Sequence, residues 1–129
     1  MKTTRSSATI KEGQCRETFS DGTLAAVGRY KDGKKTGPWK YYLRNGRLKA
    51  TGRYAHGQLV GLWKWYRESG KPLQVGTFKK GKQSGLWKRF RPNGKPYDAG
   101  KYVDGKKVGV WKLYDESGKL SRTTSHRPR

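Results

Sequence analysis

Apolar and polar positions alternate in short runs along this chain, and no run keeps the 3.6-residue period of a helix. The runs are about five to eight residues long and rich in Tyr, Trp, Val and Thr, a composition that signals strands. Turn-forming dipeptides bound them: Asp32-Gly33, Asn45-Gly46, Asn93-Gly94 and Asp104-Gly105. His56-Gly57, Ser69-Gly70, Lys80-Gly81 and Ser117-Gly118 occupy the corresponding places. Asn, Asp and Gly tolerate the positive φ that a type I′ hairpin turn demands. The pattern therefore predicts β-hairpins in series.

The hairpins repeat. Trp39, Trp63, Trp87 and Trp111 are each 24 residues from the next. Units span 28–51, 52–75, 76–99 and 100–120, and 17–27 reads as a half unit before them. An aromatic stands two residues after the first glycine of each unit (Tyr30, Tyr54, Phe78, Tyr102), and another three after each Trp (Tyr42, Tyr66, Phe90, Tyr114). Lys40, Lys64, Lys88 and Lys112 follow the tryptophans directly. Repeats of this length are supersecondary units that bury their apolar faces by stacking on neighbours. The expected fold is all-β: tandem hairpins in an elongated, twisted single antiparallel sheet. At about 4.8 Å between strands, roughly nine strands make it about 40 Å long. The flanks 1–16 and 121–129 are basic and are expected to be flexible tails around a repeat domain at 17–120.

Register follows from the turns. A two-residue turn at Asn45-Gly46 places Leu43 opposite Leu48, Tyr41 opposite Ala50 and Trp39 opposite Gly52. Large rings then shield strand glycines. Because strand neighbours alternate between faces, one face carries the tryptophans with Tyr30 and Tyr54. The other carries Pro38, Lys40, Tyr42, Leu62, Lys64, Tyr66, Leu86, Lys88 and Phe90. A slip of one residue would exchange the two faces.

Composition narrows the partners. Lys and Arg number 31 against 9 Asp and Glu, a net charge of +22. Such a surface attracts polyanions: an acidic protein, nucleic acid or anionic lipid. The aliphatics are too few (nine Leu, six Val, one Ile) for an ordinary two-layer core, so aromatics must build it. Cys15 is the one cysteine, which rules out a disulfide within the chain and assigns the residue no role. No signal-like run stands at 1–15, and no segment reaches the roughly 20 apolar residues of a membrane span, so a cytoplasmic location is expected.

Catalytic chemistry is not expected. The acids fall mostly in turns, His56 is in a turn, and His126 is near the end of the chain. Nothing matches metal-ligand spacing or a phosphate-cradling loop, so no metal or cofactor is expected. The positions that differ between units are better candidates for recognition. Two residues after each Trp the chain carries Tyr41, Trp65, Arg89 and Leu113; two further on it carries Leu43, Arg67, Arg91 and Asp115. The candidate partner-binding set is Trp63, Lys64, Trp65, Arg67, Trp87, Lys88, Arg89 and Arg91. Rings beside guanidinium groups suit base stacking or anchoring in a partner protein. The alternative reading makes Trp63 and Trp87 ladder residues of the sheet and the arginines a solvated face.

The glycine and aromatic positions of each unit, shown by GRYKDGKKTGPWKYYLRNG at 28–46, resemble the MORN repeat in its bacterial variant form. The likeness covers about 28–120 and extends to the small bacterial proteins known as YwqK-type antitoxins. It implies a hairpin sheet and a non-enzymatic role in binding proteins or membranes. The leading expectation is an antitoxin-like or scaffold module that grips an acidic protein. Sequence-independent DNA or RNA binding is the alternative, and attachment to an anionic membrane surface the second. Lysines spread over both faces and all turns, without a single stripe, weigh against nucleic acid. Edge-to-edge homodimers are a further expectation, because an open sheet leaves its end strands unpaired.

Overall fold

A computed structural model describes residues 11–127. Its strands are β1 (Gly13–Thr18), β2 (Leu24–Lys31), β3 (Lys34–Tyr42), β4 (Leu48–Ala55), β5 (Gln58–Tyr66), β6 (Pro72–Lys79), β7 (Lys82–Phe90), β8 (Pro96–Val103), β9 (Lys106–Tyr114) and β10 (Leu120–His126). Each pairs antiparallel with the next, and all ten form one open sheet. No helix occurs among the described residues. β1 and β10 run through stretches expected to be tails, so the ordered array holds ten strands and not nine. The reason lies in register: Cys15 and Arg16 stand 24 residues before Trp39 and Lys40, and Thr124 stands 24 after Gly100. The tail readings for 1–10 and 128–129 fall outside the described residues.

The turns are of two kinds. At Asp32-Gly33, His56-Gly57, Lys80-Gly81 and Asp104-Gly105 both residues have positive φ, the type I′ geometry. At Asn45-Gly46 only the glycine does, with φ 88°. There Leu43 N–H donates to Arg47 O at 2.8 Å and Gly46 N–H to Leu43 O at 2.9 Å. This is a three-residue turn closing on a left-handed glycine. Asn45 accepts the Arg47 N–H through Oδ1 at 2.9 Å and so stays outside the left-handed region.

The extra turn residue shifts the register by one, and Tyr42 pairs Leu48 where Leu43 was expected. A bulge at Lys49 restores it, so Tyr41 still pairs Ala50 and Trp39 pairs Gly52. The two irregularities cancel, which is why the face assignment survives a wrong turn length.

Trp39, Trp63, Trp87 and Trp111 are 0, 2, 3 and 6% exposed. Trp39 pairs with Gly52 on the following strand, but its ring lies over Gly28 on the preceding one. A Cβ on Gly28 would stand 2.1 Å from that ring, and Gly52 is covered by Trp63 in the same way. Each ring therefore shields the glycine behind it, not the one it pairs. The lean is produced by bulges at Gly37, Gly61, Gly85 and Gly109, whose φ values near 70° only glycine adopts without strain. It also gives each indole N–H a partner: Trp39 donates to Arg29 O at 3.1 Å and Trp87 to Thr77 O at 3.0 Å. Tyr30, Tyr54, Phe78 and Tyr102 set their edges against the indoles with centroids 5.1–6.3 Å apart. A single sheet covered by its own rings thus supplies the core.

Seams along both long edges join unit to unit. On one edge Gly57 N–H donates to Lys35 O at 3.0 Å, and Gly81 N–H to Leu59 O at 2.9 Å. On the other Arg67 donates to Phe90 O at 2.9 Å and Arg91 to Tyr114 O at 2.7 Å.

Candidate binding faces

The lysines that follow the tryptophans do form a stripe. Cross-strand pairing runs Arg16, Val27, Lys40, Thr51, Lys64, Val75, Lys88, Ala99, Lys112, Thr123 across the whole sheet. Paired residues share a face, so every second strand adds a cation to one straight row on the side away from the tryptophans. Arg16, Lys40, Lys64, Lys88 and Lys112 are all exposed. The two ion pairs among the described residues, Arg44–Asp21 and Arg89–Asp98, involve none of them. With strands about 4.8 Å apart, the cations stand about 9.6 Å from one another, close to one Debye length in physiological salt. Neighbours therefore repel weakly, while their fields add along the row. The expectation of cations without a stripe is corrected: a 24-residue period over a two-strand unit forces equivalent residues into one line.

A second row runs beside the first. Leu62, Leu86 and Val110 lie two residues before Lys64, Lys88 and Lys112 on the same strands, hence on the same face. They are 52, 51 and 57% exposed, among the most exposed large apolar side chains described. Shallow depressions lie between the rows. One, of about 300 Å³, is lined by Pro38, Thr51, Arg53, Leu62, Lys64 and Tyr66.

The tryptophan face carries the variable positions. Glu17, Ala26, Tyr41, Ala50, Trp65, Gln74, Arg89, Asp98, Leu113 and Arg122 follow one another across the strands. Trp65 is half-buried between Trp63 and Trp87, at 5.8 and 5.7 Å. Arg89 clamps the buried Asp98 with two hydrogen bonds, of 2.9 and 2.6 Å. That pairing holds the guanidinium pKa above its ordinary value. Toward the front end of the sheet, Tyr41 and Tyr54 share a 2.8 Å hydrogen bond, and Lys35 donates to Tyr41 at 3.0 Å. Burial pushes both phenols above the usual tyrosine range.

The candidate set therefore scatters. Trp63 and Trp87 are core. Trp65 and Arg89 line the tryptophan face, with Arg89 engaged by Asp98. Arg67 and Arg91 are spent on the seam, and Arg91 also stacks with Arg89 on Tyr97, at 5.0 and 4.9 Å. Lys64 and Lys88 alone lie on the opposite face, in the cationic row. Arg16, Lys40, Lys112 and the aliphatic row were missing from the set. Their shared 24-residue spacing was the available signal, and only the strand pairing shows that it makes a line.

Among the described residues no group of His, Cys, Asp and Glu is placed to hold a metal ion. Among the described residues no helix is long and apolar enough to cross a membrane. An open ribbon of equivalent hairpins, with a ring-built core on one side and solvent on the other, is the architecture of a repeat binding module. A family model described as MORN repeat variant matches at residues 59–80 and again at 107–126. These two stretches are similar to MORN-variant repeats, and each spans most of one hairpin of the array.

No curated protein sequence matches it. Among solved structures it is similar to part of S. aureus TarM. A mutant in complex with fondaparinux, alpha-GlcNAc-glycerol and UDP gives a TM-score of 0.46 at 14% identity, covering 74% of this chain and 19% of that one. A second TarM structure gives 0.45 at 13% identity, covering 75% and 19%. A GtfA/B complex bound to UDP and GlcNAc gives 0.35 at 13% identity, covering 91% and 23%. The chain spans about a fifth of the length of these proteins. Likeness this partial says nothing of what the chain does.

Proposed function

We propose that this protein is a non-enzymatic binding module that grips an acidic protein, in the manner of an antitoxin or a scaffold. The observation that supports the reading is the row Arg16, Lys40, Lys64, Lys88 and Lys112, exposed and without carboxylate partners among the described residues. The row spans about 38 Å at about 9.6 Å per step, enough for a standard interface. Single exposed charge pairs contribute only about 0.2–1 kcal/mol each. The row alone gives steering and modest affinity. Covering the neighbouring leucines adds about 1 kcal/mol for each half-buried side chain.

Nucleic acid is the competing occupant, and three features count against it. Duplex DNA carries a charge about every 1.7 Å of its axis, far denser than this row. The second row sets Leu62, Leu86 and Val110 on alternate strands, with Thr77 and Lys101 between them, and offers no ring, where sequence-independent readers of single strands use rings. The guanidinium groups at 67, 89 and 91 are engaged within the fold.

Purification of the full chain from its native source, with nuclease treatment, tests the reading. Direct titration with the recovered protein follows. An acidic protein in a fixed ratio, released by raised salt and lost in the Lys40→Glu/Lys64→Glu/Lys88→Glu variant, is the expected result. Recovery of nucleic acid alone, or binding indifferent to those substitutions, overturns it.

A further inference from the structure

We propose that the occupant of the cationic face is an acidic amphipathic helix lying across the strands, with carboxylates and apolar side chains repeating every seven residues. The inference rests on the acidic-partner reading above and adds the partner's shape. Its basis is a match of periods. The row repeats every second strand, about 9.6 Å. Seven residues of α-helix rise about 10.5 Å. The mismatch is about 1 Å per repeat, which a flexible lysine stem absorbs over the length of the row.

An extended strand cannot do the same. Three of its residues span about 10 Å, but side chains three apart point to opposite sides, so one strand could meet only alternate lysines. The second row sharpens the case. Leu62, Leu86 and Val110 run parallel to the lysines, about 6.7 Å aside, within the width of one helix. A helix with an apolar seam flanked by charges presents two such lines at one period. Between the lysines the face is low, because Thr51, Val75 and Ala99 fill the intervening strands. The hollow lined by Leu86, Lys88, Ala99, Lys101, Val110 and Lys112 is about 470 Å³, room for an inserted side chain.

Fluorescence anisotropy with the full chain tests this at about 0.15 M salt. The probes are two synthetic peptides of about 28 residues, about 42 Å as helix, with identical composition. One repeats Glu and Leu every seven residues on one face; the other scrambles the spacing. A proline-rich peptide with Glu at every third residue and a single-stranded oligonucleotide complete the set. The heptad peptide should bind at least about tenfold tighter than the scrambled one and gain helical circular dichroism on binding. Lys64→Glu/Lys88→Glu and Leu62→Ser/Leu86→Ser should each weaken it about tenfold or more, with unchanged tryptophan fluorescence showing intact folds. Lys71→Glu/Lys119→Glu, in the turns, should leave binding within about twofold. Equal binding of both acidic peptides overturns the helix and leaves the acidic partner standing. Tighter binding of the proline-rich peptide, or indifference to the leucine substitutions, likewise removes the helix. Preference for the oligonucleotide, or no binding of any acidic peptide, removes both.

Discussion

Gly28, Gly52, Gly76 and Gly100 carry no side chain because an indole occupies the place where a Cβ would stand. At Gly76 the clash with Trp87 would be 2.0 Å, and the ring is too closely packed by Phe78 and Trp65 to yield. Gly76→Ala should therefore destabilise the array by about 3 kcal/mol, the upper part of the overpacking range, measured by urea unfolding. Gly105→Ala meets no atom, and only its positive φ opposes it, so a cost of about 1–2 kcal/mol is expected there. The Tyr41–Tyr54 pair supplies a pH signature. Burial raises both folded pKa values above the unfolded value, so the neutral forms are favoured in the fold. That stability is fully present below about pH 10 and is lost as pH rises through the folded values. From neutral pH upward, thermal melts should hold to about pH 10 and fall above it, less so in Tyr54→Phe. At this scale the sequence showed which residues recur. It did not show that each tryptophan shields the glycine behind it, because that lean depends on bulges at Gly37 and its equivalents.

Two kinds of hairpin alternate, and glycine-containing dipeptides that look alike in sequence serve both. Lys80 adopts φ 51° at a type I′ position where its counterparts are Asp32, His56 and Asp104. Lysine is the least suited of these to left-handed backbone, since its side chain offers no local hydrogen bond to the turn. Lys80→Asn should stabilise by about 0.5–1 kcal/mol, read from the urea midpoint. Asn45, by contrast, keeps negative φ and caps Arg47 N–H, so Asn45→Gly should destabilise despite creating a Gly-Gly pair. Strand positions were legible because alternation and turn residues agree. Turn length was not, because Asn-Gly suits both a two-residue turn and the end of a three-residue one.

The array as a whole depends on its period more than on its length. Each hairpin unit touches the units beside it, through paired strands, seam hydrogen bonds and rings such as Trp65 and Trp87, so stability is a sum over units and interfaces. Removing residues 76–99 joins Val75 to Gly100, at equivalent positions. The shortened chain should keep its β spectrum and lose about a fifth of its urea m-value. Removing 76–87 joins Val75 to Lys88, reverses the strand parity and deletes a glycine–tryptophan pair; circular dichroism should show loss of the hairpins beyond the junction. Net charge of +22 with two ion pairs among the described residues also means that screening helps the fold, and thermal stability should rise with added salt.

The sequence by itself determined the fold class, the 24-residue unit and the face that holds the tryptophans. It could do so because side-chain direction along a strand is local, and the repeat states it four times over. Tertiary structure alone decided which candidate residues remain available. Arg67 reaches Phe90, 23 residues on along the chain, only across a seam between units. It also decided that Arg16 and the lysines of every unit fall into one line beside Leu62, Leu86 and Val110. Position within a repeat can be counted along the chain; alignment between repeats exists only once hydrogen bonds have fixed how one strand lies against the next.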